Sequence, residues 1–161
     1  MKNAAYLALG IVLGAVLVGP GLAQQSQKHG LNHIGIRVKD YARAMAFYTG
    51  ALGLREAYTV RKPDGSPLLT YLQLNRDTFI ELIPARPNEA PGITHFGVEV
   101  GDIQAAVARL RANGVEAADP ALTPAKALYT RIKDSDGAEI EVMEFGPEAL
   151  QRKAMDAWKE R

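Results

Sequence analysis

Cysteine is absent from all 161 residues. No disulfide can staple this chain, no thiolate can serve as nucleophile or metal ligand, and the core must hold the fold unaided. Charge of one sign is equally lacking: 19 basic residues against 18 acidic ones give a formal net charge of +1. Without a polybasic patch or an acidic run, neither nucleic acid nor a solvating tail is indicated. Histidine occurs only three times and tryptophan once, so any imidazole chemistry falls on very few positions. A 47 % hydrophobic content suffices for one compact domain or two small modules sharing a core.

Long apolar runs are also missing, with one exception. Ala4 to Val18 follows Met1-Lys2-Asn3 and precedes Gly19-Pro20-Gly21, with small residues at Gly21 and Ala23 before Gln24. That is the layout of a secretory signal peptide over residues 1–23, and the run is shorter than the ~20 residues that span a bilayer. The expectation is export, to the periplasm, with no stable membrane association after cleavage.

What is present is a repeat. Leu31-Asn32-His33-Ile34-Gly35-Ile36-Arg37-Val38-Lys39-Asp40 is echoed by Ile93-Thr94-His95-Phe96-Gly97-Val98-Glu99-Val100-Gly101-Asp102. The ends match as well, Phe79-Ile80-Glu81-Leu82-Ile83 against Glu139-Ile140-Glu141-Val142-Met143. Two copies of one unit related by approximate symmetry follow. Period-two alternation at Ile34, Ile36 and Val38 makes a half-buried strand, Asp40 can cap a helix running to about Thr49, and strands are expected over 54–60, 68–74 and 78–83. The second copy has a strand over 96–100, a helix over 103–113 ended by Gly114, a weak strand or none over 115–124, and strands over 128–133 and 138–145. The expected fold is α+β: two tandem βαβββ modules, 31–83 and 93–145 with a linker over 84–92, forming a cup-shaped, partly open β-barrel with its helices outside. A C-terminal helix over 147–161 is expected to present Leu150, Ala154 and Trp158 as one stripe.

The same alternation sorts side chains between the two faces. The aliphatic residues face the helices. His33, Arg37, Glu81, His95 and Glu141 face the cup, with Tyr71 on the third strand and Tyr129 and Arg131 on its counterpart. Two histidines and two carboxylates at matching repeat positions form a four-ligand set for one divalent transition metal, and nitrogen and oxygen donors suit Zn, Ni, Co, Mn or Fe. His29 lies outside the repeat and reads as a tail residue.

These residues resemble the vicinal oxygen chelate superfamily, which includes glyoxalase I, methylmalonyl-CoA epimerase, extradiol dioxygenases, and fosfomycin- and bleomycin-resistance proteins. The likeness is carried by His33 to Asp40 running into Ala46-Phe47-Tyr48-Thr49 and Leu52-Gly53-Leu54, and by Asp134-Ser135-Asp136-Gly137 before Ile140-Glu141-Val142. The resemblance implies metal ligands His33, Glu81, His95 and Glu141, as in glyoxalase I; the epimerase branch usually has Gln where this chain has Glu81. It implies an isomerase or lyase in which the metal chelates two neighbouring substrate oxygens while a carboxylate, Glu141 with Glu81 as its symmetry mate, moves a proton beside a carbonyl. Arg37, Tyr71, Tyr129 and Arg131 would bind a small anionic or oxygen-rich substrate. Alternatives are a metal-free sequestering protein of the bleomycin-resistance type, a fosfomycin-modifying transferase, and a non-haem iron extradiol dioxygenase, which uses two His and one carboxylate. A homodimer is the expected assembly, with Trp158 and the linker as contact surface.

Overall fold

The computed structural model describes residues 30–159; the signal-peptide segment 1–23 and His29 lie outside the described residues. The first module contains β1 (Gly30–Val38), α1 (Tyr41–Met45), β2 (Arg55–Arg61), β3 (Pro67–Gln73) and β4 (Phe79–Pro84). The second contains β5 (Gly92–Glu99), α2 (Ile103–Ala112), β6 (Ala121–Leu122), β7 (Leu128–Lys133) and β8 (Glu139–Glu144), and α3 (Leu150–Asp156) follows. All eight strands belong to one curled sheet in the order β2-β3-β4-β1-β5-β8-β7-β6. β1 runs parallel to β4 and β5 to β8, and the modules meet where β1 and β5 pair antiparallel. The α+β cup is therefore completed within one chain.

Alternation does the sorting that was expected of it. On the convex side Leu72, Ile80 and Leu82 pack with Ile34, Ile36 and Val38 against Tyr41, Ala44 and Met45 of α1. Val98, Val100 and Val142 do the same against Ile103, Ala106 and Val107 of α2. Asp40 and Asp102 cap the two helices, accepting from the backbone N–H of Arg43 and Ala105. Gly114 sits at φ 78° just past α2, a left-handed turn that closes the helix without Cβ strain.

Several boundaries differ from the sequence reading, each for a local reason. The first helix turns into a π-helical segment over Ala46–Ala51, where Leu52 N–H donates to Phe47 O. The Thr49 hydroxyl bonds the Met45 carbonyl, occupying an acceptor the regular α ladder would use. β5 runs from Gly92 to Glu99, starting four residues before the strand expected over 96–100 and taking in only Gly92 of the expected linker. β6 is only two residues long, bracketed by Pro120 and Pro124, which have no N–H for a ladder.

The largest difference concerns α3. It starts at Leu150, after a turn over 147–149, and ends before Trp158. Its buried positions are Gln151 and Met155, so the Leu150–Ala154–Trp158 stripe does not form. Trp158 instead lies under the Arg55 guanidinium, 3.9 Å from ring centroid to Cζ. Nor is α3 outside the cup with the other helices. Met155 and Ala149 pack with Tyr71, Phe79, Met143 and Phe145, side chains of the concave face. Hydrogen bonds from Leu150 N–H to Ala125 O and from Gln73 Nε2 to Ala154 O fix α3 there, with an ion pair between Arg152 and Glu99.

Candidate metal centre

The site is built at the seam between modules, from two rows of the sheet. In one row Glu81, Gly35 and His95 are neighbours across β4, β1 and β5; in the other His33, Gly97 and Glu141 are neighbours across β1, β5 and β8. Each glycine thus separates a histidine from a glutamate and leaves the space above it empty. The imidazoles fill that space. A Cβ on Gly35 would stand 2.2 Å from His95 Cε1, and one on Gly97 would stand 2.0 Å from His33 Cε1. The glycine two residues after each histidine is there to seat the ring of the other module.

Two β-bulges orient the rings. The register slips by one residue at Asn32 and again at Thr94, immediately before each histidine. The bulged residue's side chain thereby comes within reach of its neighbour's ring: His33 Nδ1 lies 3.2 Å from Asn32 Oδ1, and His95 Nδ1 lies 2.9 Å from Thr94 Oγ1. Asn32 spends its NH₂ on Asp77 O, and Thr94 donates its hydroxyl proton to Gly35 O. Both partners must therefore accept from Nδ1–H, which leaves each Nε2 as the free ligating nitrogen. We expect Thr94→Val to weaken transition-metal affinity about ten- to a hundredfold, measured by competition with a chromophoric chelator. Unchanged affinity would remove Thr94 from this role.

The ligand atoms converge. His33 Nε2 and His95 Nε2 are 3.0 Å apart, and Glu81 Oε2 is 3.0 Å from His95 Nε2 and 3.9 Å from His33 Nε2. Glu81 Oε2 is buried and, despite that short approach, completes no hydrogen bond. Two imidazole lone pairs and an orphaned carboxylate oxygen in a buried pocket need positive charge between them. Donors about 2.0–2.2 Å from a common ion would stand at about these separations, so His33, Glu81 and His95 fit a divalent metal. Even a proton feels the pull. Burial opposes charging His95, but the Glu81 contact and the nearby charge of Glu141 outweigh it and hold the imidazole above its usual range.

Glu141 stands beside this group with a second allegiance. Its Oε2 is 3.5 Å from His33 Nε2 and 3.7 Å from His95 Nε2, while Oε1 accepts from the Arg131 guanidinium. Burial alone would raise its carboxyl, but the His33 and Arg131 contacts and the His95 charge bring it to about 2. The matching cross-strand neighbour of Glu81 is Tyr71, not a cation. Burial, and after it the Glu81 charge, push the Tyr71 phenol well above its usual value, so it remains a neutral hydroxyl.

The concave face carries a cavity of about 510 Å³ lined by Glu81, His95 and Glu141 together with Tyr71, Tyr129 and Arg131. Arg37 is not on its wall. It pairs with Glu89 of the inter-module segment at 3.2 Å and lines an adjoining cleft of about 320 Å³ that shares His95 and Arg131. A larger, more open cleft of about 1070 Å³ beneath 114–118 touches none of the four candidate ligands and shares only Arg131 with the 510 Å³ cavity. Convergence of donors, not size, locates the chemistry. Sequence reasoning missed Arg86, which lines both smaller spaces, and Gln151, which reaches the cavity from α3. Neither lies in the repeat that gave the other positions away. Asn32 and Thr94 occupy matching repeat positions, and that coincidence was the available signal for their shared role.

A model of the Glyoxalase/Bleomycin resistance protein/Dioxygenase superfamily matches residues 30–142. The uncharacterized protein YaeR of Escherichia coli (strain K12) is 34 % identical over 122 residues, 71 % of this chain and 95 % of that protein. The mitochondrial methylmalonyl-CoA epimerase of Homo sapiens is 31 % identical over 91 residues, 50 % of this chain and 52 % of that protein. Among solved structures, the methylmalonyl-CoA epimerase of Mycobacterium tuberculosis superposes with a TM-score of 0.65 at 26 % identity, covering 74 % of this chain and 89 % of that one.

Proposed function

The chain belongs to the Glyoxalase/Bleomycin resistance protein/Dioxygenase superfamily, and from that premise we propose a metal-dependent isomerase or lyase that moves a proton beside a substrate carbonyl. The observation that carries this is the pair of Nε2 atoms 3.0 Å apart, both Nδ1 atoms committed elsewhere, with an unpartnered Glu81 oxygen next to them. His33, Glu81, His95 and Glu141 would hold the metal. A divalent ion there would chelate two adjacent substrate oxygens and acidify the neighbouring C–H.

The residues divide the remaining work. Arg131 fixes Glu141 as a ligand and leaves it a weak proton acceptor. Glu81 faces the cavity with Tyr71 rather than a cation beside it, so it is the ligand freer to leave the ion, and Glu81 takes the proton. This reverses the order suggested by sequence, where Glu141 came first. Arg131 and Arg86 favour an anionic or oxygen-rich small molecule, and Tyr129 and Met143 wall the cavity without adding charge. The test is hydrogen–deuterium exchange at the α-carbon of hydroxyacetone and related α-hydroxycarbonyl compounds, followed by NMR in D₂O with metal-loaded protein. Exchange above the buffer rate supports the reading; metal-loaded protein that exchanges none of them contradicts it.

A second reading is favoured by one observation. The tightest group is two histidines and a single carboxylate, with Glu141 drawn toward Arg131. That donor set suits an iron-dependent dioxygenase with open positions. Oxygen uptake with a catechol by the Fe²⁺-loaded protein would select it.

Assembly and location complete the proposal. The bulges turn Leu31 and Ile93 to the convex side with Phe96, giving an exposed apolar stripe along the seam between α1 and α2. A homodimer would use this stripe, with Trp158 already covered by Arg55. Sedimentation as a monomer at micromolar concentration would contradict it. Export rests on residues 1–23 alone, and a secreted product beginning at Gln24 on N-terminal sequencing is the expected result; retention of Met1 would refute cleavage.

A further inference from the structure

Gln151 is 1 % exposed, and neither its amide oxygen nor its amide nitrogen completes a well-formed hydrogen bond among the described residues, although the amide lies near enough to the Tyr71 phenol to act on its ionisation. Leaving a buried amide without well-formed hydrogen bonds is unfavourable, so the position calls for an explanation. Structural duty does not supply one. The docking of α3 is secured by Leu150 N–H on Ala125 O, by Gln73 on Ala154 O and by Arg152 on Glu99, while Met155 and Ala149 provide the apolar packing. A leucine would fit the same helix face without the polar penalty. The amide instead lines the cavity that holds Glu81, His95 and Glu141, beside the Tyr71 phenol. Tyr71 in turn lies edge-on to the His33 ring, with centroids 5.3 Å apart.

We propose that Gln151 is a specificity-determining residue of this cavity, its amide receiving a neutral polar substituent of the substrate at a distance from the chelated oxygens. The inference rests on the metal reading given above and extends it to the distal part of the substrate. An amide both donates and accepts, so its complement is a group that does the same: a carboxamide or a hydroxyl. A carboxylate would instead be directed to Arg86 and Arg131 on the same cavity. Gln151 stands on the C-terminal helix, beyond residue 142 where the match to the superfamily model ends.

Hydroxamates chelate through two adjacent oxygens and can carry different tails, so they separate the two ideas. Calorimetry on the Zn²⁺-loaded chain expressed from Gln24 to Arg161 would compare acetohydroxamate, butyrohydroxamate and succinamohydroxamate, the last having a terminal carboxamide on a tail of butyryl length. Wild type is expected to bind succinamohydroxamate about tenfold more tightly than butyrohydroxamate. In Gln151→Leu that preference should vanish or invert, with acetohydroxamate affinity unchanged. The metal-free Gln151→Leu protein should melt at the wild-type temperature or above it, a result that a structural hydrogen-bonding role could not give. Gln151→Met provides the same comparison should leucine fold poorly. Acetohydroxamate binding with no tail preference in wild type, or a preference that survives both substitutions, overturns the assignment of Gln151 alone. Failure of acetohydroxamate to bind at all overturns the metal reading, and this inference with it.

Discussion

Replacing Gly97 with alanine is expected to lower transition-metal affinity by about a hundredfold or more, the upper end of what loss of a supporting contact does to a metal site. The new methyl group would stand 2.0 Å from His33 Cε1 and 2.2 Å from His33 Nδ1. His33 cannot move aside cheaply, because it is fully buried, with Nδ1 on Asn32 and its ring against Tyr71. Something must shift, and overpacking of this kind destabilises by about 1–3 kcal/mol. Whichever group yields, Nε2 leaves the position it shares with His95 Nε2, and a metal tolerates only about 0.2 Å of error in its ligand distances. Gly35→Ala should behave as its twin, since its Cβ would meet His95 Cε1 at 2.2 Å. Gly50→Ala is the control, because nothing lies within 4 Å of a Cβ there. Calorimetric titration with Zn²⁺ checks all three. Wild-type affinity in Gly97→Ala would mean that the ring stacking over glycine has no bearing on the metal.

Glu81→Gln carries the second large effect, and it falls on rate. General base catalysis by a placed carboxylate contributes about 10²–10⁴-fold. An amide keeps the shape and an oxygen that can still ligate, but it cannot accept the proton. Deuterium exchange in α-hydroxycarbonyl compounds should therefore fall by about that factor while the metal is retained. Glu141→Gln should act in the other direction, weakening the metal more than the turnover of the protein that remains loaded. Arg131 is the reason for the difference. It occupies the sheet position of Tyr71 in the other module and so breaks the symmetry between two otherwise equivalent carboxylates. Equal losses of exchange in both variants at full metal loading would contradict this division of labour.

How far the sequence displayed all this depends on whether a feature follows a period. Strand alternation placed His33, His95, Glu81 and Glu141 on one face, and the repeat announced that they correspond; both are local patterns that survive in one dimension. The HxG spacing was visible, but its meaning was not, because the ring each glycine accommodates comes from the other module, His95 over Gly35 and His33 over Gly97. The bulges at Asn32 and Thr94 are register events between strands and leave no periodic trace of their own. α3 was misplaced for a related reason. A spacing of four fits more than one stripe, and the concave pocket that selects Gln151 and Met155 over Leu150 and Ala154 exists only after the sheet has curled. Trp158 illustrates the same point, since a cation from β2 covers it rather than a helix partner.

The central claim is that two histidines and their facing carboxylates hold a single divalent ion at the module seam. It is tested most directly by elemental mass spectrometry on the chain expressed from Gln24 to Arg161, purified without a polyhistidine tag, beside His33→Ala. The account predicts about one transition metal per chain in the wild type and none retained in the variant. A wild-type protein that takes up no metal after reconstitution with Zn²⁺, Ni²⁺, Co²⁺, Mn²⁺ or Fe²⁺ would contradict it.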